Sequence, residues 1–349
     1  MGHATRVSVL VDLLIRDNEI LLVAQGRGYY FLKQRFPQLR IIKPPRLELR
    51  YARSKLFFNL SLVFIVIKLI SNCMMDRVLL QRLIKDFDPD LIISDNRFCF
   101  WSRRVRSVYL THQLQVEVPW ALRFFNGLVQ KLNKYFIRKY DMVLVPDVEK
   151  DNASLAGRLS HPWQVPGNVR YIGLLSRFYG MSCIASEEYQ VVAVVSGPDP
   201  ARTRLVNILR RQLSETEFKS LIVSGKPEAD ISDACDNVTV VPHLEDKDFC
   251  RYILGARFVI VRAGYSSLMD MVALGRSAII IPTPGQTEQE YLARYLHGKK
   301  YFYAIDEDKV NLKEQLLQFG RVKDELEENI LRLRKEAFFV HKELKQILM

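Results

Sequence analysis

The chain of 349 residues is poor in cysteine and has no long apolar run, and both shortages limit what it can be. Its five cysteines are odd in number, scattered and never in a CxxC or Cys/His cluster, so we expect neither a disulfide framework nor a zinc site. With no signal peptide visible, we expect a cytoplasmic protein in a reducing compartment. The composition is 48% hydrophobic and 26% charged, which excludes fibrous and disordered proteins.

Charge is distributed unevenly along the chain. The formal net charge is +12, and residues 1–174 carry 27 Lys and Arg against 14 Asp and Glu, whereas residues 175–349 carry 24 against 25. A basic first half suggests an anionic partner, either nucleic acid or a membrane surface. No zinc-finger, helix-turn-helix or RNA-recognition signature is present, so we expect no nucleic-acid partner.

Short apolar runs alternate with helix-length segments through the whole chain. Continuous Val/Ile-rich runs of this kind are typical of parallel strands buried on both faces of a sheet. The runs lie at residues 20–24, 39–43, 91–94, 107–111, 142–146, 191–196, 220–224, 238–242, 258–262, 277–282 and 301–305. The pattern predicts an α/β protein with two Rossmann-like, doubly wound parallel-sheet domains that face a central cleft.

The strand pattern breaks at the segment SRFYGMSCIASEEY, which marks a domain boundary. We therefore expect an N-terminal domain at residues 1–175, a linker at 176–190 and a C-terminal domain at 191–320. Residues 321–349 have the mixed charge and apolar spacing of an amphipathic packing helix.

The stretch FVIVRAGYSSLMD carries the most informative pattern. After a buried strand, Gly264 permits a tight turn and close backbone approach, and Ser266 and Ser267 begin a helix. Free N–H groups at a helix N-terminus, with hydroxyl donors beside them, suit a diphosphate. Arg262 adds a cation. Asp270, one turn into the helix, is either an acceptor for sugar hydroxyls or a solvated helix residue.

A second buried strand follows, and the loop PTPGQTEQE then opens another helix. Gln289 and Glu290 in that loop suit the hydroxyls of a donor sugar. The order of strand, RAGxSS, Asp, ALG, strand and PxPGQxEQ resembles the C-terminal donor-binding domain of glycosyltransferase family 28, the group of the MurG-like glycosyltransferases. The resemblance is specific over residues 258–296 and loose elsewhere.

The resemblance implies a GT-B fold, a nucleotide-sugar donor that is most commonly a UDP-sugar, inversion at the transferred sugar, and no metal or other cofactor. It extends the donor site to the rest of the turn, Ala263 and Tyr265. Ser196 and Gly197 resemble the family's first glycine-rich donor loop, and His243 lies where the family places backbone contacts to the nucleobase.

The first residues, MGHATR, resemble the end of a Gly-rich turn that follows the first strand in family 28. The resemblance places Gly2 on the acceptor side of the cleft and makes His3 the general base. The strand that precedes this turn in the family is not in the sequence. Because that strand lies in mid-sheet, we expect the functional protein to have upstream residues that supply it.

Polar pairs follow two predicted strands of the first domain. Asp95 and Asn96 come after LIIS, and His112 and Gln113 come after SVYLT. Open α/β sheets bind ligands at the carboxyl ends of their strands, so we expect both pairs on the acceptor side, with Asp95 orienting His3. The His112-Gln113 pair resembles a His-Glu-Gln element of the family whose Glu is missing here; a structural role for His112 is the alternative.

Residues 40–70 combine a basic segment with an apolar one. Six Lys and Arg with one Glu precede the run at 56–70, which is apolar at 12 of 15 positions. The run is shorter than the roughly 20 residues that span a bilayer. It fits either a monotopic anchor on anionic lipid or a helix buried against the first sheet.

These features predict a glycosyltransferase that moves a hexose or N-acetylhexosamine onto a glycan or lipid-linked acceptor, cytoplasmic or peripheral at the inner face of the cell membrane. Two alternatives remain open at this point. One is a sugar-nucleotide epimerase or hydrolase of the same fold, and the other is a non-catalytic partner that recruits a glycosyltransferase to the membrane.

Overall fold

The apolar runs form strands in three sheets. Two of the sheets are wholly parallel, and the third has one antiparallel strand at its edge. The computed structural model describes residues 2–44, 58–229, 232–337, 344, 347 and 348, with the backbone alone at 58–69 and 121. The strands are β1 (Leu21–Val23), β2 (Arg40–Ile42), β3 (Leu91–Asp95), β4 (Arg106–Leu110), β5 (Met142–Val145), β6 (Val169–Tyr171), β7 (Val191–Val194), β8 (Ser220–Val223), β9 (Asp233–Cys235), β10 (Val238–Val241), β11 (Phe258–Arg262), β12 (Ile279–Ile281) and β13 (Tyr303–Ala304).

Helices connect these strands on both faces of the sheets. They are α1 (Gly2–Leu14), α2 (Gly26–Arg35), α3 (Phe58–Phe87), α4 (Asn126–Ile137), α5 (Ala201–Ser214), α6 (Asp246–Gly255), α7 (Tyr265–Leu274), α8 (Thr287–Gly298) and α9 (Leu312–Ala337). Gly275 ends α7 in the left-handed conformation, with φ of 70°, and a Cβ there would lie 2.9 Å from Leu331. Glycine is therefore needed at this helix end.

The C-terminal domain contains a seven-stranded sheet in the order β13-β12-β11-β7-β8-β10-β9. All neighbours are parallel except β9, which runs antiparallel to β10. Every residue of β8, β11 and β12 is buried, because helices cover both faces. Without β9, which the sequence pattern did not predict, this is the doubly wound order of a Rossmann domain.

The N-terminal domain contains two parallel sheets. One has the order β3-β4-β5-β6, and the other pairs β1 with β2. Apolar residues of β1 and β3 share a cluster with α3, yet no described strand lies between these two edges or joins them. The carboxyl ends of β3 and β4 place the loops with Asp95 and His112 at one edge, as the sequence predicted.

The last helix begins earlier than the sequence pattern indicated. We expected it at residue 321, but α9 starts at Leu312 and packs along the C-terminal domain through buried residues that include Phe319 and Ile330. Beyond it, Leu344 and Leu348 pack against the N-terminal domain. The end of the chain therefore contacts both domains.

The expectation of no disulfide is wrong for two of the five cysteines. Cys73 on α3 and Cys99 after β3 are disulfide-bonded, while three others are free. The two residues are 26 positions apart in sequence, and only the packing of α3 beside β3 brings them together.

The suggested membrane segment at 40–70 falls partly outside the described residues. Its first residues form β2, residues 45–57 are not described, and α3 begins at Phe58. Among the helices that the structure describes, none is both long and apolar enough to cross a bilayer.

A buried ion pair fixes the end of β11 in the C-terminal domain. Arg262 is fully buried, and its guanidinium lies 2.6 Å from the buried carboxylate of Glu307. The same guanidinium donates hydrogen bonds to the carbonyls of Pro282 and Ala201 at 3.1 and 3.0 Å. Arg262 therefore connects four segments of this domain.

We predict that Arg262→Met lowers the free energy of unfolding by about 3–5 kcal/mol, because the buried Glu307 loses its buried partner. Arg204→Met is the matched control: Arg204 contacts the same carboxylate from an exposed position, and its loss should cost less than about 1 kcal/mol. Urea denaturation of both variants measures the difference. Equal destabilisation by the two variants would contradict the conclusion that Arg262, and not Arg204, is the stabilising partner of Glu307.

Candidate active site

The candidate site lies where the first turns of two helices from different domains meet. Ser266 at the start of α7 donates a hydrogen bond of 2.8 Å to the carbonyl of Gly2 at the start of α1. A Cβ on Gly2 would lie 3.1 Å from that hydroxyl oxygen, so the absence of a side chain permits the close approach. Both helix N-termini thus face the cleft between the domains, where their free N–H groups favour negative charge.

His3 is the exposed member of a small charged cluster at this point. Its Nδ1 lies 3.3 Å from Asp95 Oδ2 and 3.1 Å from Arg6 Nη2, and 60% of its side chain is exposed. Asp95 and Arg6 form a buried ion pair. Burial alone would raise the pKa of Asp95, but Arg6 and His3 outweigh it and hold that pKa below its usual value. The structure therefore brings His3 and Asp95 together, as the sequence predicted.

His112 is buried in the same cluster and faces both domains. Its Nδ1 is 3.1 Å from Arg6 Nη1, and its Nε2 is 2.8 Å from Glu288 Oε1 on α8. Because arginine only donates, Nδ1 accepts and the proton lies on Nε2, which donates to Glu288. Burial lowers the pKa of His112, and Glu288 only partly offsets this. The ring stacks on Tyr265, with centroids 4.1 Å apart.

Asn96 and Gln113, which the sequence predicted to lie on the acceptor side, are close to this cluster. Asn96 has a φ of 54°, and its side-chain oxygen accepts hydrogen bonds from Tyr109 and Thr111. Gln113 donates its side-chain N–H to Glu288, across the cleft. Asn96 thus shapes the loop after β3, while Gln113 helps to hold the domains closed.

Three residues predicted to bind the donor are instead used in packing. Arg262 is buried against Glu307, so its charge is already paired. Tyr265 is buried and donates to the carbonyl of Pro146 at 2.7 Å, and Ala263 is fully buried. The side chains of this turn support the fold, and Ser266, Ser267 and the helix N-terminus remain at the cleft.

Gly264 does not make the special turn that the sequence suggested. Its φ of −81° and ψ of 134° are available to any residue, and a Cβ would meet only Gln289 at 4.0 Å. The fold around residue 264 therefore does not require glycine.

Asp270 is neither solvated nor open to the cleft. Its carboxylate accepts a 2.7 Å hydrogen bond from Ser176 and lies 3.9 Å from Arg177. Burial raises the pKa of Asp270, partly offset by Arg177. His243 lies nearby against Phe31 of α2; burial, with Arg177 adding to it, lowers the pKa of His243 to about 4, so its ring is neutral at pH 7.

The two predicted donor loops lie on either side of the same buried hydroxyl. Gly197, with φ of 112°, would place a Cβ 3.9 Å from Thr283 Oγ1, and the next loop begins at Thr283, whose N–H donates to Gln289. Glu290 accepts from the N–H of Gly285 at 2.8 Å. The Thr283 hydroxyl is buried and lacks a partner among the described residues. Ser196 precedes Gly197 in the first of these two loops.

Sequence reasoning missed Arg6, Glu288 and Thr283. Arg6 lies one helical turn after His3, so its spacing could have indicated a shared face. Glu288 lies within the loop that the sequence did single out, next to Gln289. Its partner His112 is 176 residues away, and no local signal reveals that pair.

The comparisons with known proteins agree with this geometry. Residues 191–344 match the family model described as glycosyltransferase family 28 C-terminal domain, and residues 1–117 match glycosyl transferase family 1. An Oenococcus oeni protein named UDP-N-acetylglucosamine--N-acetylmuramyl-(pentapeptide) pyrophosphoryl-undecaprenol N-acetylglucosamine transferase is 21% identical over 326 residues, covering 85% of this chain and 79% of the relative.

Solved structures show the same fold over nearly the whole chain. Acinetobacter baumannii MurG superposes with a TM-score of 0.57 at 14% identity, covering 99% of this chain and 96% of that one. The S. aureus MnaA–UDP complex superposes with a TM-score of 0.62 at 12% identity, covering 99% of this chain and 92% of that one. Residues 191–344 therefore form a family 28 C-terminal domain, and the chain is a MurG-like, nucleotide-sugar-dependent glycosyltransferase of GT-B fold.

Proposed function

We propose that the protein transfers an N-acetylhexosamine from a UDP-sugar to a hydroxyl group of a lipid-linked acceptor. The pairing of His3 with Asp95 directly beside the N-terminus of α7 carries this proposal. The name of the Oenococcus oeni relative specifies a UDP-N-acetylglucosamine donor and an undecaprenol-linked acceptor, and UDP is bound in the S. aureus MnaA complex.

The geometry supports a single displacement at the anomeric carbon. His3 acts in the tautomer that carries its proton on Nδ1 and directs it at Asp95 Oδ2, 3.3 Å away, rather than accepting there from Arg6. Nε2 is then unprotonated and takes the proton of the acceptor hydroxyl. The acceptor oxygen bonds to the anomeric carbon as its bond to the diphosphate breaks, which inverts the configuration. The leaving diphosphate lies at the N-terminus of α7, where N–H groups and the hydroxyls of Ser266 and Ser267 stabilise its charge.

The donor assignment predicts that Ser266→Ala/Ser267→Ala weakens UDP binding by about 1–3 kcal/mol, since hydrogen bonds to a charged phosphate are lost. Isothermal titration calorimetry with UDP measures the change. Ser214→Ala, a hydroxyl loss at the far end of α5, should leave the affinity as it is. Unchanged UDP affinity in a folded double variant would show that the diphosphate does not bind at this turn.

The mechanism predicts that His3→Gln lowers kcat by about 10²–10⁴-fold with little change in donor affinity, because a general base is lost. His297→Gln, which changes an exposed histidine on α8, is the control. Transfer from UDP-N-acetylglucosamine to a polyprenyl-linked acceptor is the assay. Sugar release or epimerisation without acceptor in the wild-type protein would favour the hydrolase or epimerase, and no UDP-sugar binding would favour a non-catalytic partner.

We also propose that the N-terminal domain binds an anionic membrane through a surface on and before α4. Phe124 is 99% exposed, and the exposed Leu128, Leu132 and Tyr135 recur on one face of the helix. Between Trp120 and Lys139 the sequence has five Lys and Arg and no acidic residue. Exposed apolar groups with surrounding positive charge are typical of helices that lie in a membrane interface.

Hydrogen bonds connect α4 to the loop after β4, which contains His112 and Gln113 at the cleft. Asn133 on α4 donates a 2.9 Å hydrogen bond to the carbonyl of Leu114, and Gln130 donates to the carbonyl of Val116 and accepts from its N–H. A bound membrane would thus lie on the helix that supports His112 and Gln113. The surface contains five of the 27 Lys and Arg of the first half of the chain.

We predict that Phe124→Ser/Leu128→Ser/Leu132→Ser abolishes flotation with vesicles that contain phosphatidylglycerol, while Leu317→Ser, an exposed leucine on α9, does not. Binding of the wild-type protein should fall with added salt, because salt screens the attraction between the basic surface and anionic lipid. The Debye length is about 8 Å at physiological ionic strength and shortens as salt is added. Flotation that is unchanged by the triple substitution would show that the membrane contact lies elsewhere, for example in residues 40–70.

A further inference from the structure

Arg27, near the start of α2 in the N-terminal domain, contacts two loops of the C-terminal domain. Its Nη1 donates a 2.9 Å hydrogen bond to the carbonyl of Gly197, and its Nη2 lies 3.0 Å from Asp199 Oδ2 in the same loop. Its Nε lies 3.1 Å from Glu228 Oε1, in the loop after β8. Each of the three guanidinium nitrogens therefore makes a contact across the domain boundary.

The loop that contains Gly197 lies beside the proposed diphosphate position. Gly197 has a φ of 112°, and a Cβ there would lie 3.9 Å from Thr283 Oγ1. The N–H of Thr283 donates to Gln289 Oε1 at 2.9 Å. The nitrogen of the same carboxamide lies 4.0 Å from the position of a Cβ on Gly264, at the start of α7. Thr283 and Gln289 thus connect Gly197 to the N-terminus of α7 through short contacts.

Two residues of this loop, Asp199 and Gly197, are held differently. Asp199 has partners within its own domain: the buried Arg202 forms an ion pair with it, and Thr203 donates a 2.6 Å hydrogen bond to its carboxylate. The carbonyl of Gly197 receives its hydrogen bond from the other domain, and glycine has more backbone freedom than any other residue. The position of Gly197 therefore depends on Arg27 more than that of Asp199 does.

We propose that Arg27 is a positioning residue that holds the Gly197 loop in the conformation that binds the UDP-sugar. The inference rests on the proposed function, in which the diphosphate of the donor lies at the N-terminus of α7. Two carboxylates, of Asp199 and Glu228, already pair with the charge of Arg27. Arg27 therefore acts through the loop and not as a ligand of the phosphates. Donor affinity in the C-terminal domain thus depends on a side chain of the N-terminal domain.

The experiment compares UDP binding in Arg27→Met, in Lys33→Met and in the wild-type protein. Lys33 is exposed on the same helix, where it donates to the carbonyl of Pro37. Its replacement removes the same charge from α2 and leaves the contacts of Arg27 in place. Isothermal titration calorimetry should show UDP binding about 3–10-fold weaker in Arg27→Met, the effect of one lost hydrogen bond from a charged donor at a partly exposed site. The affinity of Lys33→Met should equal that of the wild-type protein.

Two further measurements separate positioning from a general loss of structure. Urea denaturation should give the same midpoint for Arg27→Met and the wild-type protein, because ion pairs of partly exposed side chains contribute little stability. In the transfer assay, KM for the UDP-sugar should rise by the same factor as the UDP dissociation constant, while kcat and KM for the acceptor change little. This split is expected because the loop binds the donor equally in the ground and transition states.

Each contrary result has a definite meaning. Equal UDP affinity in Arg27→Met and the wild-type protein would overturn the proposal and leave the proposed function in place. An equal loss in Lys33→Met would also overturn it, since the charge of α2 would then be the cause, and so would a lower urea midpoint in Arg27→Met, which would make the role structural. If UDP affinity falls as expected but the wild-type protein transfers no sugar, the proposed function is wrong and the positioning role stands. Absence of UDP binding to the wild-type protein would overturn both.

Discussion

The guanidinium of Arg6, buried where the two domains meet, is the constraint on which the site depends. A buried charge without a partner costs several kcal/mol, so its position must supply an anion and acceptors together. Asp95 supplies the anion and His112 an acceptor nitrogen. Because Asp95 ends β3 and His112 follows β4, Arg6 holds the first turn of α1 against the carboxyl ends of both strands. His3 lies on that turn at the mouth of the cleft.

Some of the ion pairs that cross the cleft are more exposed than the buried pair at the end of β11. On α2, Arg27 contacts Asp199 and Glu228 in the C-terminal domain, and all three side chains are partly exposed. Exposed pairs of this kind contribute little stability. The pair between Arg262 and Glu307 is fully buried within one domain. The domains are therefore joined both by exposed ion pairs and by buried contacts, such as the His112–Glu288 hydrogen bond and the apolar cluster that Leu159 shares with Leu268 of α7.

Several residues that resemble family site positions serve in packing here. Arg262 and Tyr265 are hydrogen-bonded inside the protein, and Asp270 accepts from Ser176 beneath Arg177. The groups that face the cleft are instead backbone N–H groups at helix ends and the small hydroxyls beside them. The chemistry of the proposed donor site thus depends more on where helices begin than on which charged side chains the motif contains.

The sequence by itself determined most of the strands, the parallel pairing of the apolar ones and the two-domain architecture, because runs such as FVIVR are apolar on both faces and can be buried only between layers of helices. It also placed His3, Asp95 and His112 at strand and helix ends, since those ends follow from the pattern. It could not reveal the Cys73–Cys99 bond, the burial of Arg262, or the contact of Glu288 with His112, whose partners are far apart along the chain. Those were decided by the tertiary structure, because burial and charge pairing depend on which segments meet, and local periodicity carries no information about distant partners.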